Sequence, residues 1–88
     1  MLFSPDLAKT FQQLKKKDPR LLKQIEKQLQ IFSGNPKHVS LRLHKLSGNL
    51  NSTWSISVSK SYRLVFVMEG DEAYFFNFGT HDQVYRKK

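Results

Sequence analysis

An 88-residue chain with 39% hydrophobic and 12% aromatic residues can build one modest core and is too apolar for a disordered segment. It contains no cysteine, which excludes disulfides and thiolate metal sites and suits a reducing compartment. Fifteen Lys and Arg against seven Asp and Glu give a net charge of +8, a field that draws phosphate backbones, anionic membranes or acidic proteins, or simply hydrates a lysine-rich surface.

The chain reads as a single domain over residues 1–88. The N-terminal MLFSPDLAKTF lacks the basic and apolar blocks of a secretory signal. No apolar run approaches the roughly 20 residues that span a bilayer, so a cytoplasmic location is expected. Ser4-Pro5-Asp6 is a helix start: a capping hydroxyl, proline at the first helical position, and an acid at the positive dipole end. Leu7, Phe11 and Leu14 follow at helical spacing, and Lys15-Lys16-Lys17 closes the last turn. Asp18-Pro19 repeats the start signal, and Leu22, Ile25, Leu29 and Phe32 form the second apolar stripe. Gly34 is expected to end that helix in the left-handed conformation, with Pro36 preventing continuation. Two helices joined so tightly form an antiparallel hairpin whose apolar faces need a sheet.

Ser40 to Leu46 is predicted to be extended, and Ser47-Gly48-Asn49 is turn chemistry. Trp54, Ile56 and Val58 alternate with Ser55, Ser57 and Ser59, the period of a strand with one core face. Tyr62 to Met68 is a central strand carrying one charged residue, Arg63. Glu69-Gly70-Asp71-Glu72 is a tight turn, Ala73 to Phe78 is the next strand, and Gly79-Thr80 ends it; Lys87-Lys88 is a tail. The fold class is therefore α+β: an N-terminal antiparallel helical hairpin on an antiparallel sheet of three to four strands. The expected core joins Leu7, Phe11, Leu14, Leu22, Ile25, Leu29 and Phe32 to Trp54, Ile56 and Val58.

Arg63 invites two readings. It snorkels to the sheet edge or pairs with an acid such as Asp82, or its guanidinium fork grips a phosphate. If Leu64 and Phe66 face the helices, period-two alternation turns Arg63 to the opposite side. His81 either sits exposed in a turn capped by Thr80 or Asp82, or transfers protons over the sheet's end. Tyr85 shares its side if residues 82–86 make a helical turn. His38, His44 and His81 show no metal-ligand spacing, and no cofactor motif is present.

The order of helical hairpin, Ser40-Leu41-Arg42, Leu46-Ser47-Gly48, WSISVSKSYRLVF and GTHDQVY resembles the RelE/ParE toxins of bacterial type II toxin–antitoxin pairs, across nearly the whole chain. The resemblance implies the RelE-like microbial RNase fold and a ribosome-dependent mRNA endonuclease. Such an enzyme needs no metal and leaves a 2′,3′-cyclic phosphate and a 5′-hydroxyl. It implies Arg63 as phosphate stabiliser, His81 as acid or base, and Tyr85 as an orienting aromatic. His44, Lys45, Arg42 and Lys60 are candidates for substrate binding. The implied partners are an acidic antitoxin, the ribosome and mRNA. The chain departs from the family at Ser57, where an arginine is common, and in a first strand reduced to Met1-Leu2-Phe3. Two other functions stay open: a ParE-like gyrase inhibitor, whose relatives usually lack the GTHD histidine, and a non-catalytic antitoxin-binding relative.

Overall fold

Each helix begins at its predicted capping residue. In the computed structural model, which describes residues 1–46 and 53–85 apart from the side chains of His81 and Tyr85, Ser4 Oγ accepts the Leu7 N–H at 3.1 Å and α1 runs over Pro5–Lys17. Asp18 serves two helices. Its N–H donates to the Leu14 carbonyl at 2.8 Å to close α1, and its Oδ1 accepts the Leu21 N–H at 3.2 Å to open α2, Pro19–Gly34. One residue therefore makes the hairpin turn, which locks α1 and α2 side by side. Gly34 does not take the expected left-handed conformation; α2 runs through it and ends at Asn35, φ −153° and ψ 91°. The stop comes from Pro36, whose ring forces the preceding residue out of the helical region.

The segment predicted to be extended, Ser40 to Leu46, is broken near residue 42. It forms a 3-10 turn over Val39–Leu41, then Arg42 in the left-handed region at φ 47°, and only then β2, His44–Lys45. Leu41 explains the break, because its side chain is fully buried in the core and pulls the backbone down toward the helices. The Ser47-Gly48-Asn49 turn and the Lys87-Lys88 tail lie outside the described residues.

The sheet is larger than the three to four strands expected. Among the described residues it has five, in the order β1-β5-β4-β3-β2: β1 is Leu2–Phe3, β3 Thr53–Ser57, β4 Tyr62–Glu69 and β5 Glu72–Thr80. β3, β4 and β5 form the expected antiparallel meander. The added edge is β1, parallel to β5, with Leu2 opposite Tyr74 and Phe3 opposite Phe75. The Ser4 N–H donates to the Phe75 carbonyl at 2.9 Å, and the Met1 ammonium meets Glu72 at 2.6 Å. Two residues suffice for a strand here because α1 follows at once and fixes their direction.

A β-bulge on β5 decides which aromatic residues reach the core. Val65 pairs with Asn77 but Phe66 with Phe75, so Phe76 is the extra residue and is 39% exposed. The slip brings Phe75 and Phe78, three apart in sequence, to the helix side. Phe75 is fully buried against the rings of Phe3, Phe32 and Phe66, at centroid distances of 5.6, 5.4 and 4.9 Å. Phe78 stacks on Tyr62 at 5.1 Å. Of the expected core, Leu7, Ile25, Leu29, Phe32, Ile56 and Val58 are buried, while Phe11, Leu14 and Trp54 are partly buried against it. On α2 the inward positions are Leu21, Ile25, Gln28, Leu29 and Phe32, with Leu22 only half-buried. In the sequence Leu21 is masked by its neighbour Leu22, and Gln28 by its polarity.

Candidate functional site

Strand alternation puts the candidate chemistry on the sheet face away from α1 and α2. On β4, Leu64 and Phe66 pack into the core, so Arg63 projects to the other side as expected. Its neighbours in register are Ser57 on β3 and Gly79 on β5, one small and one without a side chain. The guanidinium lies back across β3. Nε donates to Ser55 Oγ at 2.9 Å; Nη2 donates to the Arg42 carbonyl at 2.7 Å and to the Ser55 carbonyl at 3.4 Å. Ser55 is fully buried and Arg63 half-buried. The alternating serines of WSISVS thus form a low channel in which a long side chain can lie. These three acceptors are uncharged oxygens, and together they fix the orientation of the guanidinium.

A concavity of about 250 Å³ opens at this point, lined by Arg42, Ser57, Ser59, Lys60 and Arg63. Three different backbone devices bring its cations together. Arg63 comes from the start of β4, Lys60 from the β3–β4 turn, and Arg42 from its left-handed position after the 3-10 turn. The β3–β4 turn is held by the Ser57 hydroxyl donating to the Ser59 carbonyl at 3.0 Å, and by the Ser61 N–H donating to Ser59 Oγ at 3.3 Å. Converging cations and hydroxyl groups make a cradle suited to a phosphate-sized anion. A larger concavity of about 550 Å³ has a floor of Phe32, Leu43, Trp54 and Phe66 on the helix side. Its apolar floor offers no such cluster of cations.

The five-residue helix α3, His81–Tyr85, is folded onto the Arg63 face. Gly79 is paired with Arg63, and a Cβ built on Gly79 would meet the Gln83 side chain at 2.6 Å, so Gln83 covers that face directly. Thr80 and Gln83 form a capping box: Thr80 N–H donates to Gln83 Oε1 at 2.8 Å, and Gln83 N–H donates to Thr80 Oγ1 at 3.3 Å. The T-x-x-Q spacing is legible in GTHDQ, and Thr80 is the cap. His81 and Tyr85 have their backbones in this helix, beside the Arg63 face; their side chains lie outside the described residues.

Register separates the remaining candidates. His44 is paired with Ser55 and so belongs to the Arg63 face, though it does not line the concavity. Lys45 is paired with Trp54 and points to the other side, its ammonium 5.8 Å from the Trp54 ring. Its grouping with Arg42 and Lys60 is therefore corrected: adjacent strand residues face opposite ways. Ser57 and Ser59 also line the concavity; as small uncharged residues of a polar strand face they carry no binding signal in the sequence. His38 caps the 3-10 turn, with Nδ1 accepting the Ser40 N–H at 3.1 Å.

No protein-family model matches the chain. It is 34% identical over 86 residues to the protein described as "Putative toxin RelE4" of Methanocaldococcus jannaschii, covering 96% of this chain and 87% of that one. Among solved structures, it is similar to a chain of the YoeB-YefM complex from Staphylococcus aureus, at a TM-score of 0.76 and 20% identity, over 91% of this chain and 93% of that one. The YoeB/ParE toxin from Agrobacterium tumefaciens matches at a TM-score of 0.76 and 15% identity over 91% and 95%. YafQ from E. coli matches at 0.67 and 19% identity over 96% and 94%. The structural likenesses establish the fold, and the sequence relative establishes the family. The chain belongs to the RelE/ParE superfamily of toxins.

Proposed function

We propose that this toxin is a metal-independent endoribonuclease that cleaves mRNA under translation on the ribosome and is neutralised by an acidic antitoxin. The observation that carries the reading is the concavity in which Arg42, Lys60 and Arg63 converge around a guanidinium already oriented by Ser55 and the Arg42 carbonyl. In the reaction, the RNA 2′-oxygen attacks the adjacent phosphorus as its proton passes to a base. The bond from phosphorus to the 5′-oxygen breaks, and that oxygen takes a proton from an acid. The products are a 2′,3′-cyclic phosphate and a 5′-hydroxyl.

The developing charge sits on the non-bridging phosphate oxygens, where fixed cations help most. Arg63 is assigned the two-pronged contact, with Lys60 and Arg42 adding charge from either side. Arg42 then supplies a cation beside Ser57, where relatives commonly carry an arginine. His81 is assigned proton transfer and Tyr85 substrate orientation, both from α3 on the Arg63 face. His44 is assigned to the substrate strand beyond the concavity. Lys45 has no role in this site.

The structures of YoeB with YefM and of YafQ with DinJ are toxin–antitoxin complexes, which supports an antitoxin partner here. The net charge of +8 favours an acidic one. The test is cleavage of mRNA on purified ribosomes by the wild type and by Arg63→Ala and His81→Ala, with gyrase supercoiling assayed in parallel. Ribosome-dependent cutting that both substitutions reduce supports the reading. Gyrase inhibition without cutting would assign the ParE-like function, and neither activity would leave a protein that only binds its antitoxin.

A further inference from the structure

We infer that Gln28, in the helical layer, is a positioning residue for the Arg63 guanidinium; the inference rests on the anion-site reading above. Gln28 occupies the inward stripe of α2 with Leu21, Ile25 and Phe32 and is 8% exposed. A leucine or methionine would fill that position with equal apolar contact. The amide is needed for something else: Nε2 donates to the Ser57 carbonyl at 2.8 Å and to the Ser40 carbonyl at 3.2 Å.

Strand geometry explains why those carbonyls need a donor. The Val58 N–H donates to the Tyr62 carbonyl, so Val58 faces β4 through its hydrogen bonds and Ser57 turns its own peptide groups to the β2 side. On that side His44 and Lys45 of β2 pair with Ser55 and Trp54, and the Leu46 N–H donates to the Thr53 carbonyl at 2.9 Å, so among the described residues the β2 ladder stops short of Ser57. Continued two residues back, β2 would set Arg42 against Ser57, but Arg42 has left the ladder at φ 47°. The Gln28 amide fills the gap. It satisfies the Ser57 carbonyl and ties the 3-10 turn at Ser40 to β3.

The consequence reaches the site through two residues of backbone. Ser40 leads to Arg42, whose carbonyl accepts from Arg63 Nη2 at 2.7 Å. A non-glycine residue held left-handed needs surrounding contacts to keep it there. Gln28 is one of them, at the root of the turn. One side of the guanidinium is thus fixed by a strand serine, and the other by a carbonyl whose place depends on Gln28.

The experiment uses the full chain labelled with nitrogen-15, reading the Arg63 Nε–H resonance, assigned by its disappearance in Arg63→Lys. Inorganic phosphate is the titrant. Gln28→Met is expected to fold, to move or broaden the Arg63 resonance, and to weaken phosphate binding about tenfold. A folded Gln28→Met with the wild-type Arg63 resonance and phosphate affinity overturns the proposal. Should Gln28→Met not fold, the wild type decides: phosphate is expected to shift the Gln28 side-chain amide signals together with Arg63, and a shift of Arg63 alone rejects the coupling. If phosphate leaves the wild-type Arg63 signal unmoved, the anion-site reading fails instead. The Gln28 coupling is then still read from the Arg63 resonance in Gln28→Met without phosphate.

Discussion

Gly79 and Gln83 are pressed together so closely that a β-carbon on Gly79 would lie 2.6 Å from Gln83 Oε1 and 3.1 Å from its Cβ. Because Gly79 sits opposite Arg63, this contact is what brings α3 down over the guanidinium's side of the sheet. Gly79→Ala should therefore push Gln83 off and open the capping box with Thr80. The expected cost is about 1 kcal/mol, that of a lost helix cap. Amide exchange in residues 81–85 should speed up while the β3–β4 ladder stays protected. RNA cleavage should fall with it. An unchanged exchange pattern in α3 would show that the contact does not hold the helix.

Arg63→Ala should lower ribosome-dependent cleavage by about 10²-fold, the scale for removing a transition-state charge contact. It also strips a donor from the fully buried Ser55 hydroxyl, at a cost of about 1–2 kcal/mol to stability. The variant should stay folded with a lowered melting temperature. Arg63→Lys keeps the charge but cannot reproduce the donors to Ser55 and Arg42 together, so it should recover little activity. Cleavage by Arg63→Lys at the wild-type rate would mean that only charge matters here.

Phe75 and Phe11 should separate clearly in urea melts. Phe75 is fully buried among three aromatic rings, and Phe75→Ala should cost about 3–5 kcal/mol. Phe11 is half-buried, with an edge-on contact to Phe3 at 5.7 Å, and Phe11→Ala should cost about half as much. Equal losses would mean that α1 packs more deeply than this geometry.

Gly34 and Gly70 should respond to alanine with opposite signs. Gly34 is the last helical residue of α2, and an alanine β-carbon there would have nothing within 4 Å, so Gly34→Ala should stabilise by about 0.5 kcal/mol. Gly70 stands at φ +65° in the two-residue turn between Glu69 and Glu72, the first central position of a II′-type hairpin. Gly70→Ala should cost about 1 kcal/mol or more. Thermal melts of the two variants give the comparison directly.

Local chemistry determined what the sequence alone could show. Ser4-Pro5 and Asp18-Pro19 start helices because a capping oxygen and a preset φ act within a few residues. Trp54 to Ser59 alternates because a strand has two faces, and the same rule turned Arg63 away from the core. The Ser40–Leu46 stretch, the extra Phe76 and the place of Lys45 could not be read this way. Each depends on a partner far along the chain: the pull of buried Leu41, the slip between β4 and β5, and the pairing of β2 with β3. The cradle itself is the clearest case. Arg42, Lys60 and Arg63 come from three segments, and their convergence needs a left-handed residue, a serine channel and a buried glutamine. Sequence spacing carries no trace of such a meeting, because distance along the chain sets neither the register nor the face on which the groups come together.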